Sequence, residues 1–279
     1  MQTIKRRLIP YILITPAAVI YATFSLIPLL GVFRTSLFRT NFIKIKWVGL
    51  GNYAKLLTDE KFFGSIFNSF MYAIIGVPLH LLIAVTVALL IYNTSEKWQD
   101  YAKTMIYLPG FLGAIILSST WKWVWLPEGM VNTLLGLNVR WFTSRWTSIP
   151  PIILSATLIG WGGSLVMFSA ALKSIPKETI DAAMVDGAKW WQIKLKILLP
   201  SMYKLIVLVS LLSTAGMFQL YYMIDLLAPY DYAGTLMWVM YKTAFTFSKY
   251  GRGSAYAVVL MFIILAVAIV QRWVLRRTK

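Results

Sequence analysis

Six stretches without Asp, Glu, Lys or Arg run through the sequence, and each approaches or exceeds the length of about 20 residues that crosses a bilayer as a helix. Only helices are open to a single chain at this depth, because every backbone polar group must be satisfied within the segment. We therefore predict an all-α, polytopic membrane protein that forms a single transmembrane domain over residues 1–279. Its six transmembrane helices are placed at about residues 8–33, 67–92, 104–125, 147–172, 205–224 and 253–275.

The composition agrees with a membrane protein and excludes several kinds of site. Of the 279 residues 59% are apolar and 13% are charged, which is too few charges for a soluble domain of this size. A net charge of +17 would suggest nucleic acid as the partner of a soluble protein, but here the basic residues flank apolar spans and suit anionic lipid. The chain has no cysteine and one histidine, so we predict no metal site and no catalytic residues.

The basic residues also suggest an orientation. Lys5-Arg6-Arg7 precede a first span that is longer than the apolar core of a signal peptide, so we predict a retained span with its N-terminus in the cytoplasm. Six spans return the C-terminus to the same side. The segments placed outside carry a surplus of basic residues, which lipid headgroups explain; an acidic protein surface or an anionic sugar is the alternative.

The longest polar interruption on the predicted cytoplasmic side is residues 174–200, which we call the elbow. Pro176 suits the first turn of a helix, and Glu178 and Asp181 lie where the helix dipole favours negative charge. Asp186-Gly187 is a turn signal. The pattern predicts a short exposed helix, a tight corner and a second helix at the membrane surface, a shape suited to a groove on another protein.

The spacing in the elbow resembles a family signature. Asp181-Ala182-Ala183, Gly187 and Ile197-Lys-Leu199-Pro200 are similar to the loop of the inner-membrane subunits of binding-protein-dependent ABC importers, with Asp181 where that loop has Glu. In that family the loop is the coupling helix that docks on the ATPase subunit. The resemblance therefore implies an ATPase-coupling role for Glu178, Asp181, Ala182, Ala183, Met184, Asp186, Gly187 and Pro200.

Flanking segments are similar to the sugar permeases of the maltose and glycerol-phosphate type, among them Leu50-Gly51-Asn52-Tyr53 and Phe218-Gln219. The resemblance implies a type I ABC importer permease fold in a bacterial or archaeal cytoplasmic membrane. It implies a non-catalytic permease subunit for a mono- or oligosaccharide delivered by an extracytoplasmic binding protein. It also implies a second permease subunit of a different sequence, and two ATPase subunits that hold ATP and Mg while this chain holds no cofactor.

Five residues are candidates for the substrate pathway. The glycine-rich stretch 160–164 weakens the fourth span, which favours either local unwinding or close helix packing. We expect sugar stacking or hydrogen bonding from Trp121, Trp161, Ser164, Gln219 and Tyr222. For the tryptophans near residue 125 an interfacial aromatic belt is the alternative, and we prefer it for Trp123 and Trp125. His80 is expected to be packed or hydrogen-bonded rather than functional.

Other functions compete with this interpretation. A permease for a non-sugar or anionic solute would have the same elbow. An ion-coupled secondary carrier generally needs ionisable groups inside the membrane, and the apolar stretches offer only His80. An intramembrane enzyme would need a nucleophile with its base, paired carboxylates or a metal cluster, and none lies in the spans. The chain has no phosphate-binding GxxxxGK[ST] sequence, so ATP would bind elsewhere.

Overall fold

The computed structural model describes the backbone of residues 2–41 and 43–277, and the side chains of residues 11–41 and 43–274. The basic side chains nearest the two ends lie outside the described part: Lys5, Arg6, Arg7, Arg276, Arg277 and Lys279. The cytoplasmic placement of both termini therefore stays a prediction.

Helices form nearly all of the regular structure, as the apolar stretches predict. The first half comprises α1 (Gln2–Tyr21), α2 (Ile27–Ser36), β1 (Phe38–Thr40), β2 (Ile45–Trp47), α3 (Gly51–Leu57), α4 (Glu60–Ile91), α5 (Glu96–Tyr107), α6 (Ala114–Val124) and α7 (Met130–Leu135). The second half comprises α8 (Arg145–Lys173), α9 (Lys177–Val185), α10 (Trp190–Ile193), α11 (Leu199–Ser201), α12 (Tyr203–Phe218), α13 (Tyr222–Leu227), α14 (Leu236–Tyr241) and α15 (Tyr250–Arg277). The two strands pair antiparallel, with Arg39 opposite Lys46.

Four helical segments in the described part are long and apolar enough to cross a membrane: Tyr11–Ser36, Glu60–Ile91, Arg145–Lys173 and Tyr250–Val274. Two further pairs of helices pass the same test but are bent, by 100° between Phe111 and Ala114 and by 64° between Ser201 and Tyr203. The described part of the chain therefore has four candidate spans, or six if each bent pair is a single span, as the sequence predicts.

The first bend has a cause that is visible in the sequence. A 3₁₀ turn at Leu108–Phe111 follows α5, and Gly113 stands before α6. Pro109 cannot continue an α-helix because it lacks the N–H and its ring clashes with the preceding turn. The kink predicted at Leu108-Pro109-Gly110 is confirmed.

The chain forms two compact units, of which the first comprises Met1–Asp59 and Met240–Met261. Its hairpin is fastened at one residue: the Asn52 side-chain amide donates to the Ser36 and Phe38 carbonyls at 2.7 and 2.9 Å. Gly251, in the first turn of α15, lies so close to the Phe38 carbonyl oxygen that a Cβ would overlap it. The hairpin, α3 and the start of α15 therefore hold one another in place.

The second unit comprises Glu60–Val239 and Phe262–Lys279. Here α4 packs along α8 and α12. Polar side chains of α4 also support the segment before α14: Asn68 donates to the Tyr232 and Gly234 carbonyls at 2.9 Å, and the Tyr72 hydroxyl donates to the Ala233 carbonyl at 2.9 Å. These bonds satisfy backbone groups of an irregular segment that would otherwise be buried without partners.

The glycines of the fourth span serve close packing. Helix α8 continues without interruption through residues 160–164, so the local unwinding that we considered does not occur. A Cβ on Gly162 would lie 2.7 Å from the Ile106 carbonyl oxygen and 3.0 Å from the Tyr107 Cα. The absence of a side chain at Gly162 therefore allows the α5 backbone to contact α8 directly.

This contact predicts different outcomes at two adjacent glycines. We expect Gly162→Ala to destabilise the protein by about 1–3 kcal/mol, because backbone atoms of α5 must move. Gly163→Ala is the matched control, since its Cβ would lie 3.7 Å from the Tyr107 ring, an ordinary contact. Thermal unfolding followed by tryptophan fluorescence should show a lower Tm for Gly162→Ala alone. Equal Tm values would contradict the packing role.

Candidate functional site

The elbow turns at Gly187, as the sequence predicts. Gly187 has φ +80°, a left-handed conformation that L side chains rarely adopt. The Ala188 N–H donates to the Ala183 carbonyl at 2.9 Å, and the Gly187 N–H donates to the Met184 carbonyl at 3.0 Å. This pair of bonds is a Schellman motif, which ends α9 and satisfies its last carbonyls.

The second half of the elbow begins at once. The Gln192 side-chain oxygen accepts the Lys189 N–H at 2.7 Å and caps the start of α10. The chain continues through a π-helical turn, Lys194–Leu198, into α11, where Pro200 occupies the first turn. The corner is therefore fixed by backbone–backbone bonds on the α9 side and by the Gln192 side chain on the α10 side.

One apolar cluster joins the elbow to α4, α8 and α12. We call it the elbow cluster; its buried members are Ala84, Ala88, Leu89, Leu165, Phe168, Leu172, Ile180, Ile193, Leu198, Met202 and Val209. Ile180 of α9 is 5% exposed, and Ile193 and Leu198 are fully buried. Side chains of α4, α8 and the elbow share this cluster, near the C-terminal ends of both long helices.

The opposite side of α9 is open. Glu178, Asp181, Ala182 and Asp186 are exposed, and Val185 is 87% exposed. Met184 is 43% exposed, whereas Ala183 packs against the elbow cluster. The exposed face of α9 thus combines the apolar side chain of Val185 with the carboxylates of Glu178, Asp181 and Asp186.

A cavity of about 320 Å³ lies between α4, α8 and α12, and we call it the membrane cavity. Its wall is mostly apolar, with small and hydroxyl residues interspersed: His80, Ala156, Gly160, Ser164, Met167, Val209, Leu212, Ser213, Gly216, Met217 and Leu220. Val209 belongs to both the cavity wall and the elbow cluster.

His80 and Ser164 meet at this cavity. The His80 Nε2 lies 2.8 Å from the Ser164 Oγ, and both residues are buried. Gly160 lies beside the same ring, since a Cβ there would be 3.6 Å from the His80 Cε1. The prediction that His80 is packed and hydrogen-bonded is confirmed.

The fifth predicted span is broken beside the cavity. Helix α12 ends at Phe218, and α13 begins at Tyr222. Gln219 is exposed within this break, next to Leu220 of the cavity wall. Tyr222 is 49% exposed and packs its ring edge on Tyr221, with centroids 5.0 Å apart. Beside the membrane cavity, the helix break thus falls at Gln219 and not at the glycines of α8.

The tryptophans have separate environments. Trp161 is half-buried and packs against the elbow cluster, and Trp121 stacks on Trp125 with ring centroids 6.5 Å apart. Trp125 is buried and donates its indole N–H to the Ser155 Oγ at 2.8 Å, so the belt position preferred for it is wrong. Trp123 is 72% exposed, as a belt residue would be. Among the described residues, the cavity wall includes Ser164 but neither of the two candidate tryptophans.

A helical bundle with a cavity between its membrane helices and an open, anchored elbow defines a transport subunit. The sequence matches the family model described as "Binding-protein-dependent transport system inner membrane component" over residues 47–279. The chain belongs to this family. It is a multi-pass inner-membrane protein and a permease subunit of an ABC transporter, as the resemblance implied, and the family works with a solute-binding protein.

Individual relatives agree with this assignment. The chain is 30% identical over 273 residues to the "Probable ABC transporter permease protein YesP" of Bacillus subtilis, covering 93% of this chain and 88% of that protein. It is 29% identical over 251 residues to the "Alpha-glucoside transport system permease protein AglF" of Rhizobium meliloti, covering 80% and 70%.

The fold also matches a solved structure. A chain of a bacterial ABC transporter involved in the import of the acidic polysaccharide alginate superposes with a TM-score of 0.84 and 22% identity, covering 99% of this chain and 98% of that one. The predicted ABC importer permease fold is confirmed.

The His80–Ser164 contact predicts a difference between two serines on α8. We expect Ser164→Ala to lower the stability by about 1–3 kcal/mol, because the buried imidazole loses its partner. The control is Ser169→Ala, since the Ser169 Oγ is buried without a hydrogen-bond partner in the described part of the chain. Thermal unfolding of the two variants should differ, with Ser169→Ala at or above the parent Tm. A Tm for Ser164→Ala equal to that of Ser169→Ala would contradict the proposed bond.

Proposed function

We propose that this permease translocates a mono- or oligosaccharide that an extracytoplasmic binding protein delivers. Family membership establishes the class of transporter, and the α-glucoside relative supports a carbohydrate as the substrate. The ion-coupled carrier is not supported, because the family depends on a binding protein and the membrane cavity contains no carboxylate, lysine or arginine among its described lining residues.

The mechanism rests on one observation: α9 of the elbow has one exposed face, while its opposite face is buried in the elbow cluster. We assign its exposed face, with Glu178, Asp181, Ala182, Val185 and Asp186, to a groove on an ATPase subunit. This assignment places the elbow and both termini in the cytoplasm. Two ATPase subunits would bind ATP and Mg, one for each permease subunit, and residues 1–279 would act as one permease domain.

In this mechanism, movement of the elbow reaches the membrane cavity through packed side chains. Closure of the ATPase subunits displaces α9, and the elbow cluster passes this displacement to α4 and α8 through Ile180 and Phe168. Because Val209 belongs to both the elbow cluster and the membrane cavity, the cavity wall moves with the elbow. The membrane cavity would then open alternately to the two sides.

A second permease subunit completes the pathway. Within the first span, Tyr11–Ser36, the most apolar stretch of 18 residues has none of its residues buried within this chain. We propose that part of this surface packs against a permease subunit of different sequence, with the remainder in lipid. The substrate would pass between the two subunits, where the Gln219 amide and the Ser164 hydroxyl offer hydrogen bonds to sugar hydroxyls and Tyr222 offers an aromatic face. Trp121 and Trp161 remain weaker candidates, because their rings are engaged in packing.

The coupling role is tested at two glycines that share a left-handed backbone conformation. Gly187 and Gly136 both have positive φ, +80° and +61°, and a Cβ at either position meets no atom within 4 Å. In the assembled transporter we expect Gly187→Trp to abolish uptake while ATP hydrolysis continues, because the elbow no longer seats in its groove. Gly136→Trp should keep both activities. Undiminished uptake by Gly187→Trp, or equal losses in the two variants, would refute the coupling assignment.

The pathway assignment is tested at the helix break. We expect Gln219→Ala to slow sugar uptake by about fivefold, which corresponds to the loss of one net hydrogen bond. ATP hydrolysis stimulated by the sugar-loaded binding protein should persist, since the elbow is unchanged. Uptake equal to that of the parent protein would remove Gln219 from the pathway.

A further inference from the structure

A second cavity, of about 570 Å³, lies wholly within the first unit, and we call it the basic cavity. It is formed by the hairpin, by α3 and by the start of α15. Its lining residues are Arg39, Thr40, Asn41, Lys44, Ile45, Lys46, Asn52, Lys55, Ser248, Lys249, Gly251 and Arg252.

Half of these residues are cations, and the described wall contains no acidic side chain. The six are Arg39, Lys44, Lys46, Lys55, Lys249 and Arg252. None of them forms an ion pair with a carboxylate in the described part of the chain. Six like charges around one cavity repel one another, so an anion from outside would stabilise the arrangement.

The repulsion is visible at one residue. The neighbouring Arg39 guanidinium lowers the pKa of Lys55 below its usual range, and desolvation, Arg252 and Lys249 contribute in the same direction. Cations from the hairpin and from around the start of α15 therefore act on Lys55 of α3. An anion bound there would raise the pKa of Lys55 again.

The fold fixes the backbone positions from which these cations extend. Asn52 bonds to the end of α2 and to β1, and Gly251 brings the start of α15 against Phe38. These contacts place Arg39, Lys55 and Arg252 around one space. Preorganised charges bind an anion with little loss of conformational entropy.

The hairpin is also amphipathic. Ile43, Ile45 and Trp47 alternate with Lys44 and Lys46 in the sequence, which is the period of a strand with two different faces. The apolar side chains are exposed, Ile43 by 87% and Trp47 by 60%. A ligand that satisfies both faces must combine an anionic group with apolar chains.

The position in the chain fits the surface of a bilayer. The apolar segment Tyr11–Ser36 ends two residues before β1, and the segment Tyr250–Val274 begins at the cavity. Each of these candidate membrane spans thus has one end at or next to the basic cavity, and in a bilayer such an end would lie near the lipid phosphates. Tryptophan favours the membrane–water interface, and cations beside exposed isoleucines match anionic headgroups next to acyl chains, so lipid fits this surface.

We propose that the basic cavity binds the phosphate-bearing headgroup of an anionic phospholipid, with Ile43, Ile45 and Trp47 among its acyl chains. The site does not depend on the transported solute. With the orientation proposed above, the basic cavity lies at the outer leaflet, whereas lipid binding itself does not depend on that orientation.

The test compares two pairs of charge-removing substitutions in the assembled transporter. Lys55→Gln with Arg252→Gln removes two charges from the cavity, and Lys122→Gln with Arg140→Gln removes two exposed charges elsewhere. Native mass spectrometry with added dioleoyl phosphatidylglycerol or dioleoyl phosphatidylcholine measures binding. We expect the parent protein to prefer phosphatidylglycerol, and the cavity pair to weaken that binding by about tenfold or more, since each surface cation contributes a factor of about five. The control pair should stay within about twofold.

Further measurements distinguish lipid binding from the alternative explanations. Lys55→Arg with Arg252→Lys keeps both charges and should retain lipid binding, which distinguishes loss of charge from loss of folding. Glycerol 1-phosphate in excess should not displace the lipid; full displacement would indicate a site for soluble phosphates. Equal losses in the cavity and control pairs would show diffuse attraction and overturn the site. Unchanged lipid binding with weaker docking of the binding protein in phosphatidylcholine nanodiscs would assign the cations to an acidic protein surface. These readouts do not use transport, so they stand apart from the proposed function.

Discussion

The apolar contact between the elbow and the two long helices supports both functional regions of this permease. Ile180 and Ile193 of the elbow are buried among side chains of α4 and α8, while the polar face of α9 stays open. Removing this contact would leave α9 attached only by its two ends. Because protein interiors are close-packed, the cluster would transmit a push on the open face, as the proposed coupling role requires, instead of absorbing it in loose side chains.

Local rules were enough to predict the elbow and most of the spans. A helix long enough to cross a bilayer must be apolar along its length, and this makes spans visible in composition alone. The corner at Gly187 was visible because a left-handed residue after Asp186 needs glycine. The ends of these elements depend on residues only a few positions away along the chain, so they could be predicted from the sequence.

Features that depend on distant neighbours were not predictable in the same way. Trp123 and Trp125 look alike in sequence, but one is exposed and the other is buried against Ser155. The glycines of α8 fit either unwinding or packing until Ile106 is known to lie against Gly162. The basic cavity joins residues about 200 positions apart, such as Lys55 and Arg252, although the alternation of isoleucine and lysine in residues 43–47 was a local signal for its amphipathic hairpin.

The continuity of α8 has a geometric consequence. At a rise of 1.5 Å per residue its 29 residues extend for about 43 Å, from Arg145 to the edge of the elbow at Lys173. Such a rod magnifies small angles: a tilt of about 5° about the elbow end would carry the other end through about 4 Å, which is more than the width of a water molecule. If the elbow lies in the cytoplasm, as proposed, a modest rotation there would be enough to open or shut a passage on the opposite side of the bilayer, without any helix having to unwind.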